Sequence, residues 1–394
     1  ISAGSTRSSS ESHYEGEFNS GSHLAAAGNI QMTATGKQGG SNSGNILIAG
    51  SQAKAGETVI LDAKRDVDIT TSTDSEKYGS STKNSGWNLS SDLSAGSAVR
   101  AISGGGSHGN QLLPGGMSKA ESNSSGTRTT QNASVIQGSD IYVNSRDGSV
   151  NINGSLMTAT DDLLLSATHG DISVSAGRDT SRSESSGSRK LLGTLDGDGY
   201  SATAGYRHEK NSSREDSSLE NGLRSQLSSK NGNVVAQAGN DLSLSGTDIR
   251  AGKSVSLSGE NVLMGVSRDT RDGENHSSSA QYGVTASAGG WAVEAAKAAE
   301  TAARSAENGD DPRLTAIRTG QSAATAAQGA MSDSSLIKAK VSLTAGTSSQ
   351  DSRYHSTDTQ GTTINAGENV SVRAGNDIAG MGVQIAGKHV ALDA

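Results

Sequence analysis

Carboxylates and histidines are the residues of this sequence whose chemistry suits acid–base catalysis or metal binding. The histidines, eight in number, occur singly and form no HExxH or similar ligand pattern. A lyase or hydrolase site would need several carboxylates or basic residues converging on one face. Turn formation instead explains the aspartates that mostly sit before a short strand, because Asp caps its own backbone there. They are Asp66, Asp68, Asp171, Asp241 and Asp377.

Two glycine-rich segments share some features with ligand-binding loops but lack other residues that those loops require. Asp196-Gly197-Asp198-Gly199 offers carboxylates to Ca²⁺, yet the later ligands of an EF-hand are absent. The segment 103–109, Ser-Gly-Gly-Gly-Ser-His-Gly, is not followed by the Lys-Ser/Thr of a phosphate-binding loop. The sequence therefore predicts a protein that is not an enzyme and that has neither a cofactor nor a metal site.

The composition argues against a single deep globular core. Of 394 residues, 31% are hydrophobic and 3% aromatic, while 51 are Gly and 2 are Pro. Such a chain favours many short strands joined by glycine-containing turns. Because it has no Cys, a disulfide framework and thiolate metal sites are excluded.

Charge and hydropathy exclude further classes of protein. The net charge is -8 and the Lys and Arg residues are scattered along the chain, which argues against a nucleic-acid partner. No apolar run approaches the ~20 residues of a membrane helix. The start, Ile1-Ser2-Ala3-Gly4, lacks the regions of a signal peptide, so we expect an internal fragment of a longer protein.

Short alternating strands joined by Ala-Gly turns recur in blocks at approximately 24–70, 133–178, 232–266 and 339–394. Equivalent apolar residues return after 20 to 22 residues. The equivalent pairs are Ile46 and Val67, Val150 and Ile172, Val234 and Val255, Leu242 and Val262, Ile364 and Ile385, and Val370 and Val390. One such coil cannot bury its apolar face alone, so successive coils must stack. The repeat predicts an all-β fold, a right-handed parallel β-helix of about 20 to 22 residues per coil.

Long polar excursions interrupt the coils at approximately 5–23, 71–132, 179–231, 267–338 and 347–361. Runs that begin at Trp87, Tyr200 and Tyr282 alternate apolar with polar residues, which predicts hairpin strands with one apolar face. Either these hairpins fold back and cover the rod, or their apolar faces meet lipid or a partner, since alternating strands also build membrane barrels. The candidate contact residues are Trp87, Leu89, Leu93, Tyr200, Tyr206, Tyr282, Val284 and Trp291.

The excursion at 267–338 also contains two helix-forming segments. Residues 291–304 are rich in Ala, and Glu300 precedes Arg304 by one helical turn. Asp310-Asp311-Pro312 suits the N-terminus of a second helix that runs to about Ala330. We therefore expect a small Ala-rich helical hairpin on the rod.

The repeated segments resemble a known family. Residues 238–246, Ala-Gly-Asn-Asp-Leu-Ser-Leu-Ser-Gly, together with 249–255 and 366–370, resemble the hemagglutinin repeats of filamentous hemagglutinin-like exoproteins, which two-partner systems secrete. The Ser-rich excursions, including Ser85-Gly86-Trp87-Asn88-Leu89, look like the later repeat region of contact-dependent growth inhibition effectors. The resemblance covers nearly the whole chain.

This resemblance implies a secreted cell-surface filament on the extracellular face of a Gram-negative bacterium. The implied partners are the outer-membrane transporter barrel of the two-partner system, the outer membrane of a target cell or its receptor, and a downstream toxin domain of the same polypeptide. The segment would then help to deliver that toxin. A passive adhesive stalk that mediates attachment to cells or hosts is the alternative. The family supplies no catalytic residues.

Overall fold

The structure is a computed structural model that describes residues 2–37, 43–90, 116–198, 201–289 and 338–394. These residues are almost entirely β-strand, with one 3-10 turn at Asn221–Leu223. The all-β prediction is confirmed. The strands are of two kinds, since short ones pair in parallel and long ones pair antiparallel. The predicted helices at 291–304 and from 310 to about 330 lie outside the described residues.

The short strands form parallel ladders. The first ladder contains β2 (His23–Ala26), β5 (Gln52–Ala55), β10 (Val135–Gly138), β13 (Leu156–Ala159), β18 (Gln226–Ser229), β21 (Asp248–Ala251), β24 (Thr363–Ala366) and β26 (Gln384–Ala386). The second contains β3 (Ile30–Ala34), β6 (Thr58–Ala63), β11 (Asp140–Ser145), β14 (Leu163–Ala167), β19 (Val234–Ala238), the starts of β22 (Val255–Gly289) and β25 (Asn369–Gly380), and β27 (His389–Asp393). The third contains β4 (Ile46–Ala49), β7 (Val67–Thr70), β12 (Val150–Asn153), β15 (Ile172–Ser175), β20 (Leu242–Ser245) and the next parts of β22 and β25.

The chain runs through the first, second and third ladders in turn and then returns to the first, one strand further along. One such turn through the three ladders is here called a passage. All the residue pairs predicted from the period are paired residues of neighbouring parallel strands, for example Ile46 with Val67 and Val234 with Val255. This arrangement is consistent with a β-helix-like repeat. The prediction succeeds because identical spacing in sequence places side chains at identical positions on successive passages of the chain.

Aliphatic side chains from the ladders stack in columns and form the core. Strand β6 shows the pattern, since Val59, Leu61 and Ala63 are fully buried and the intervening residues are not. Val59 pairs with Ile141, which pairs with Leu163, so each buried residue lies beneath another aliphatic one. The buried core contains only Ile, Leu, Val, Ala and Met among the described residues, which accounts for the scarcity of aromatic residues.

Buried hydroxyls occupy the corner between the third ladder and the first. Ser134, Ser155, Ser225, Thr247 and Thr362 each precede a strand of the first ladder and are fully buried. Their hydroxyls donate to backbone carbonyls of neighbouring passages, as Ser134 Oγ does to the Thr70 oxygen at 2.6 Å and Ser225 Oγ does to the Ser175 oxygen at 2.6 Å. Buried backbone groups need such partners. The hydroxyls therefore supply bonds at the corner where the chain leaves the ladders.

The long strands leave the ladders at this corner and form a second structure, here called the hairpin sheet. It contains β1 (Ser2–Glu17), β8 (Ser72–Ser90), β9 (Gly116–Asn132), β16 (Asp179–Asp198), β17 (Ser201–Leu219), the part of β22 from Val266 onward, and β23 (Lys338–Gly361), paired antiparallel in that order. A two-stranded excursion follows every second passage through the ladders. Two passages rise by about two strand spacings, the width of one hairpin, so consecutive hairpins meet edge to edge.

The hairpin sheet differs from the predicted excursions at their boundaries. Residues 339–346 are predicted to form part of a β-helix turn, but they belong to β23, where Val341 and Leu343 are exposed. Residues 226–229, expected in an excursion, form β18 because Leu227 fills the core. Among the described residues, the hairpin strands pair with one another. Only β22 belongs both to the ladders, through its first residues, and to the hairpin sheet, through the rest.

Candidate functional site

Apolar side chains line up across the hairpin sheet near the end that lies farthest from the ladders. Pairs of directly opposed residues link each strand to the next, and such residues point to the same face of an antiparallel sheet. We call the resulting line the distal apolar row, and it consists of Trp87, Met117, Leu192, Tyr206, Tyr282 and Ala345. The face that carries it is here called the apolar face.

The apolar surface continues toward the distal end. Val284 is the next residue of β22 on this face, and it is opposed by Ala204 and Leu343. The exposed fractions are 48% for Trp87, 53% for Tyr282 and 87% for Leu343. Single exposed apolar residues are ordinary on protein surfaces, but contiguous ones mark contact sites. The distal apolar row is therefore the leading candidate site.

The predicted contact residues divide into three groups. Trp87, Tyr206 and Tyr282, which are far apart in sequence, lie on the apolar face together with Val284. The backbone of Leu89 pairs with Ala3 on β1. Leu93, Tyr200 and Trp291 lie outside the described residues. Sequence reasoning missed Met117 and Leu192, because each is an apolar residue in a mostly polar strand and only the strand register aligns them with Trp87.

Glycines occupy the opposite face behind the distal apolar row. Gly193 pairs with Gly205, and Gly205 pairs with Gly283. A Cβ atom on Gly205 would lie 2.0 Å from the Tyr282 carbonyl oxygen and 2.5 Å from the Gly283 Cα. Neither of these backbone atoms can rotate away. Glycine at position 205 therefore permits the close approach of β17 and β22 that sets Tyr206 against Tyr282.

Basic side chains lie on the apolar face, next to the distal apolar row on the side nearer the ladders. The first line of paired residues there includes Arg7, Lys119 and Lys190, and the second includes Lys83 and Lys210. We call these residues the cationic strip, and all are exposed. His208 lies in the first line, where its Nε2 atom is buried and lacks a hydrogen-bond partner within the described residues.

One carboxylate, Glu121, lies among these cations. Its pKa lies below the usual range, chiefly because Lys119 donates a hydrogen bond to it and also through attraction to Lys119, Lys83 and Lys190. The Lys119 Nζ atom is 2.9 Å from the Glu121 Oε1 atom. In the described part of the chain, Arg7, Lys83, Lys190 and Lys210 form no ion pair. The strip therefore carries an uncompensated positive charge.

The charges nearer the ladders on this face are paired, either across strands or along one strand. Arg353 Nη2 lies 2.7 Å from Glu274 Oε1, and Arg214 Nε lies 2.8 Å from Asp216 Oδ2. His355 Nδ1 lies 2.5 Å from Asp272 Oδ1. Exposed pairs of this kind contribute little to stability. They do neutralise that zone, which distinguishes it from the cationic strip.

Of the carboxylates predicted to form turns, Asp66, Asp171 and Asp241 directly precede strands of the third ladder and bond between passages of the chain, whereas Asp68 lies within β7 and Asp377 lies within β25. Asp66 Oδ1 accepts from the Ser149 backbone N at 2.9 Å, and Asp241 Oδ1 accepts from Asn261 Nδ2 at 2.7 Å. These bonds hold neighbouring passages together. Within the described ranges, no three His, Asp or Glu residues are grouped to hold a metal ion, and no helix is long and apolar enough to traverse a bilayer.

Comparison with known proteins identifies the family to which this chain belongs. The hemagglutinin repeat model matches residues 3–112, 115–258, 204–342 and 343–394. The chain is 30% identical over 283 residues to the 16S rRNA endonuclease CdiA of Enterobacter cloacae, covering 68% of this chain and 8% of that protein. It is 26% identical over 411 residues to the tRNA nuclease CdiA-2 of Burkholderia pseudomallei, covering 95% of this chain and 13% of that protein.

The chain thus spans a small part of the curated relatives that it matches. A tRNA nuclease CdiA of Escherichia coli shows the same relation, with 29% identity over 253 residues, 61% of this chain and 8% of that protein. No solved structure matches the chain. Since the repeat model matches almost every residue, and the resemblance seen in the sequence is confirmed, the chain belongs to the hemagglutinin repeat family and is similar to part of the CdiA proteins.

Proposed function

We propose that this chain is a repeat segment of a large contact-dependent growth inhibition exoprotein and that it engages the outer membrane of a target cell through the distal apolar row. The observation that carries the proposal is the alignment of Trp87, Tyr206 and Tyr282 on one exposed face. The large apolar residues of this sheet are concentrated there, near its distal end. Such a surface suits contact with lipid more than contact with water.

The proposal includes the fold and its setting. The parallel ladders form a right-handed β-helix rod on the surface of a Gram-negative cell, and a partner outer-membrane barrel exports it. The similarity to CdiA proteins supports this setting. The rod carries the hairpin sheet to the target cell, and a toxin domain elsewhere in the same polypeptide follows. The segment itself acts by contact and performs no catalysis.

Flotation of the protein with outer-membrane vesicles tests this proposal. The test variant carries Trp87→Ser, Tyr206→Ser and Tyr282→Ser. We expect it to lose vesicle binding because burial of each large apolar side chain favours the bound state by about 1.5–3 kcal/mol.

A matched control removes aromatic residues from the opposite face of the same sheet, through Tyr14→Ser, Tyr78→Ser and Tyr354→Ser. These side chains are also exposed, at 60%, 45% and 47%. The control is expected to bind as the parent does. If the parent fails to associate with vesicles while circular dichroism shows it folded, the passive adhesive stalk is the better function. Equal losses in both variants would show that the distal apolar row has no special role.

A further inference from the structure

We propose that the cationic strip binds the phosphate-bearing headgroups of an anionic lipid surface while the distal apolar row enters the layer beneath them. This inference rests on the proposed function, because it requires the apolar face of the hairpin sheet to meet a membrane. It adds the class of lipid that the surface selects.

The order of residues along the strands matches the layers of a lipid surface. The line of Lys119 and Lys190 lies two residues, about 7 Å, from the distal apolar row, and Lys83 and Lys210 lie about 7 Å further. When the distal end enters first, Val284 and Leu343 reach the acyl region and the ammonium groups lie at the level of the phosphates. Trp87, Tyr206 and Tyr282 lie between these levels, where aromatic rings are favoured.

Like charges face one another within the cationic strip. Lys119 is directly opposed to Lys190 across β9 and β16. Directly opposed like charges destabilise a sheet. A purely structural role therefore leaves this arrangement unexplained, whereas an anionic ligand would relieve the repulsion.

The charge of the rest of the molecule makes the strip distinctive. The chain has a net charge of -8, yet the strip places Arg7, Lys83, Lys119, Lys190 and Lys210 around Glu121 alone. On the opposite face at the same level, Arg207 Nη1 lies 3.9 Å from Glu209 Oε1. An anionic surface would therefore attract the apolar face near its distal end and repel most of the remaining chain, which orients the sheet.

Vesicle binding with defined lipids tests the proposal. The 394-residue chain would be titrated with vesicles of phosphatidylcholine alone and with vesicles that contain about 30% phosphatidylglycerol. The test variant carries Lys83→Gln, Lys119→Gln and Lys190→Gln. Each lysine near an anionic surface contributes a factor of about five, so we expect the variant to bind the anionic vesicles about a hundredfold more weakly than the parent.

The control variant makes the same change of charge on the ladders, through Lys54→Gln, Lys253→Gln and Lys388→Gln, which are exposed residues. It is expected to retain the preference for anionic vesicles. A salt concentration of about 1 M, at which the screening length is about 3 Å, should abolish the parent's preference.

The outcomes separate this inference from the proposed function. If parent and test variant bind both kinds of vesicle equally, while Trp87→Ser with Tyr206→Ser and Tyr282→Ser abolishes binding, membrane contact stands and the inference is wrong. If the parent binds neither kind of vesicle, both are wrong. Binding to the soluble polyanion heparin without binding to anionic vesicles would make the strip a polysaccharide site and would also overturn the inference.

Discussion

Replacement of Gly205 by Ala tests whether close strand approach creates the distal apolar row. The added Cβ would lie 2.0 Å from the Tyr282 carbonyl oxygen, whereas ordinary contacts begin at 3.4 Å. The strands β17 and β22 must therefore separate locally by about 1.4 Å. A separation of this size breaks the neighbouring ladder hydrogen bonds, which normally measure about 2.9 Å.

The expected cost follows from those bonds. Loss of two or three backbone hydrogen bonds at about 1 kcal/mol each gives about 2–3 kcal/mol for local opening. We expect the amides of β17 and β22 near the substitution to exchange with solvent about 30 to 150 times faster, as measured by hydrogen–deuterium exchange. The ladders should keep their protection, since their core is separate. Vesicle binding should weaken in parallel because Tyr206 no longer faces Tyr282.

Gly346→Ala is the matched control for this change. Gly346 lies on β23, two strands from β17 and on the same face as Gly205, and a Cβ there would meet no atom within 4 Å. Its exchange rates should equal those of the parent. Unchanged exchange in Gly205→Ala would refute the reasoning, because it would mean that β17 and β22 tolerate a side chain at their closest approach.

Three further predictions concern the ladders and their corners. Leu165→Ala should lower the free energy of unfolding by about 2–5 kcal/mol in urea titrations, because Leu165 is fully buried, whereas Leu164→Ala, which changes a half-buried side chain, should cost much less. Ser134→Ala should cost about 1–3 kcal/mol in the same assay, since the Ser51 backbone N–H loses its acceptor and the Thr70 carbonyl loses one of its two donors. A hydrogen bond from Arg146 lowers the pKa of Asp62, so this pair stabilises the fold above the unfolded pKa of Asp62 and stops doing so as the pH falls through the lowered value. The stability lost in Arg146→Met should therefore be largest near neutral pH and vanish in acid, and a loss independent of pH would contradict it.

The architecture of the ladders could be predicted because its information is local and repeated. Val150 and Ile172 occupy equivalent places in consecutive repeats, and the structure pairs them. Alternating burial in strands such as β6 likewise follows from the period-two pattern of its residues. Less could be predicted for β23, because Val341 and Leu343 have the same alternation as a core strand but are exposed.

The sequence by itself determined the all-β fold, the number of residues that separates paired positions in a ladder, and which excursion strands have one apolar side. Each of these depends on neighbours within one repeat or one strand. Only the tertiary structure decided that Trp87 shares a face with Met117 and Leu192. It also decided that Lys83 lies in the same strip as Lys190 and Lys210, which are far from it in sequence. The reason is register, because a shift of one residue in the pairing of any two hairpin strands would turn these side chains to opposite faces. That register depends on where each hairpin leaves the ladders and on close approaches such as that at Gly205.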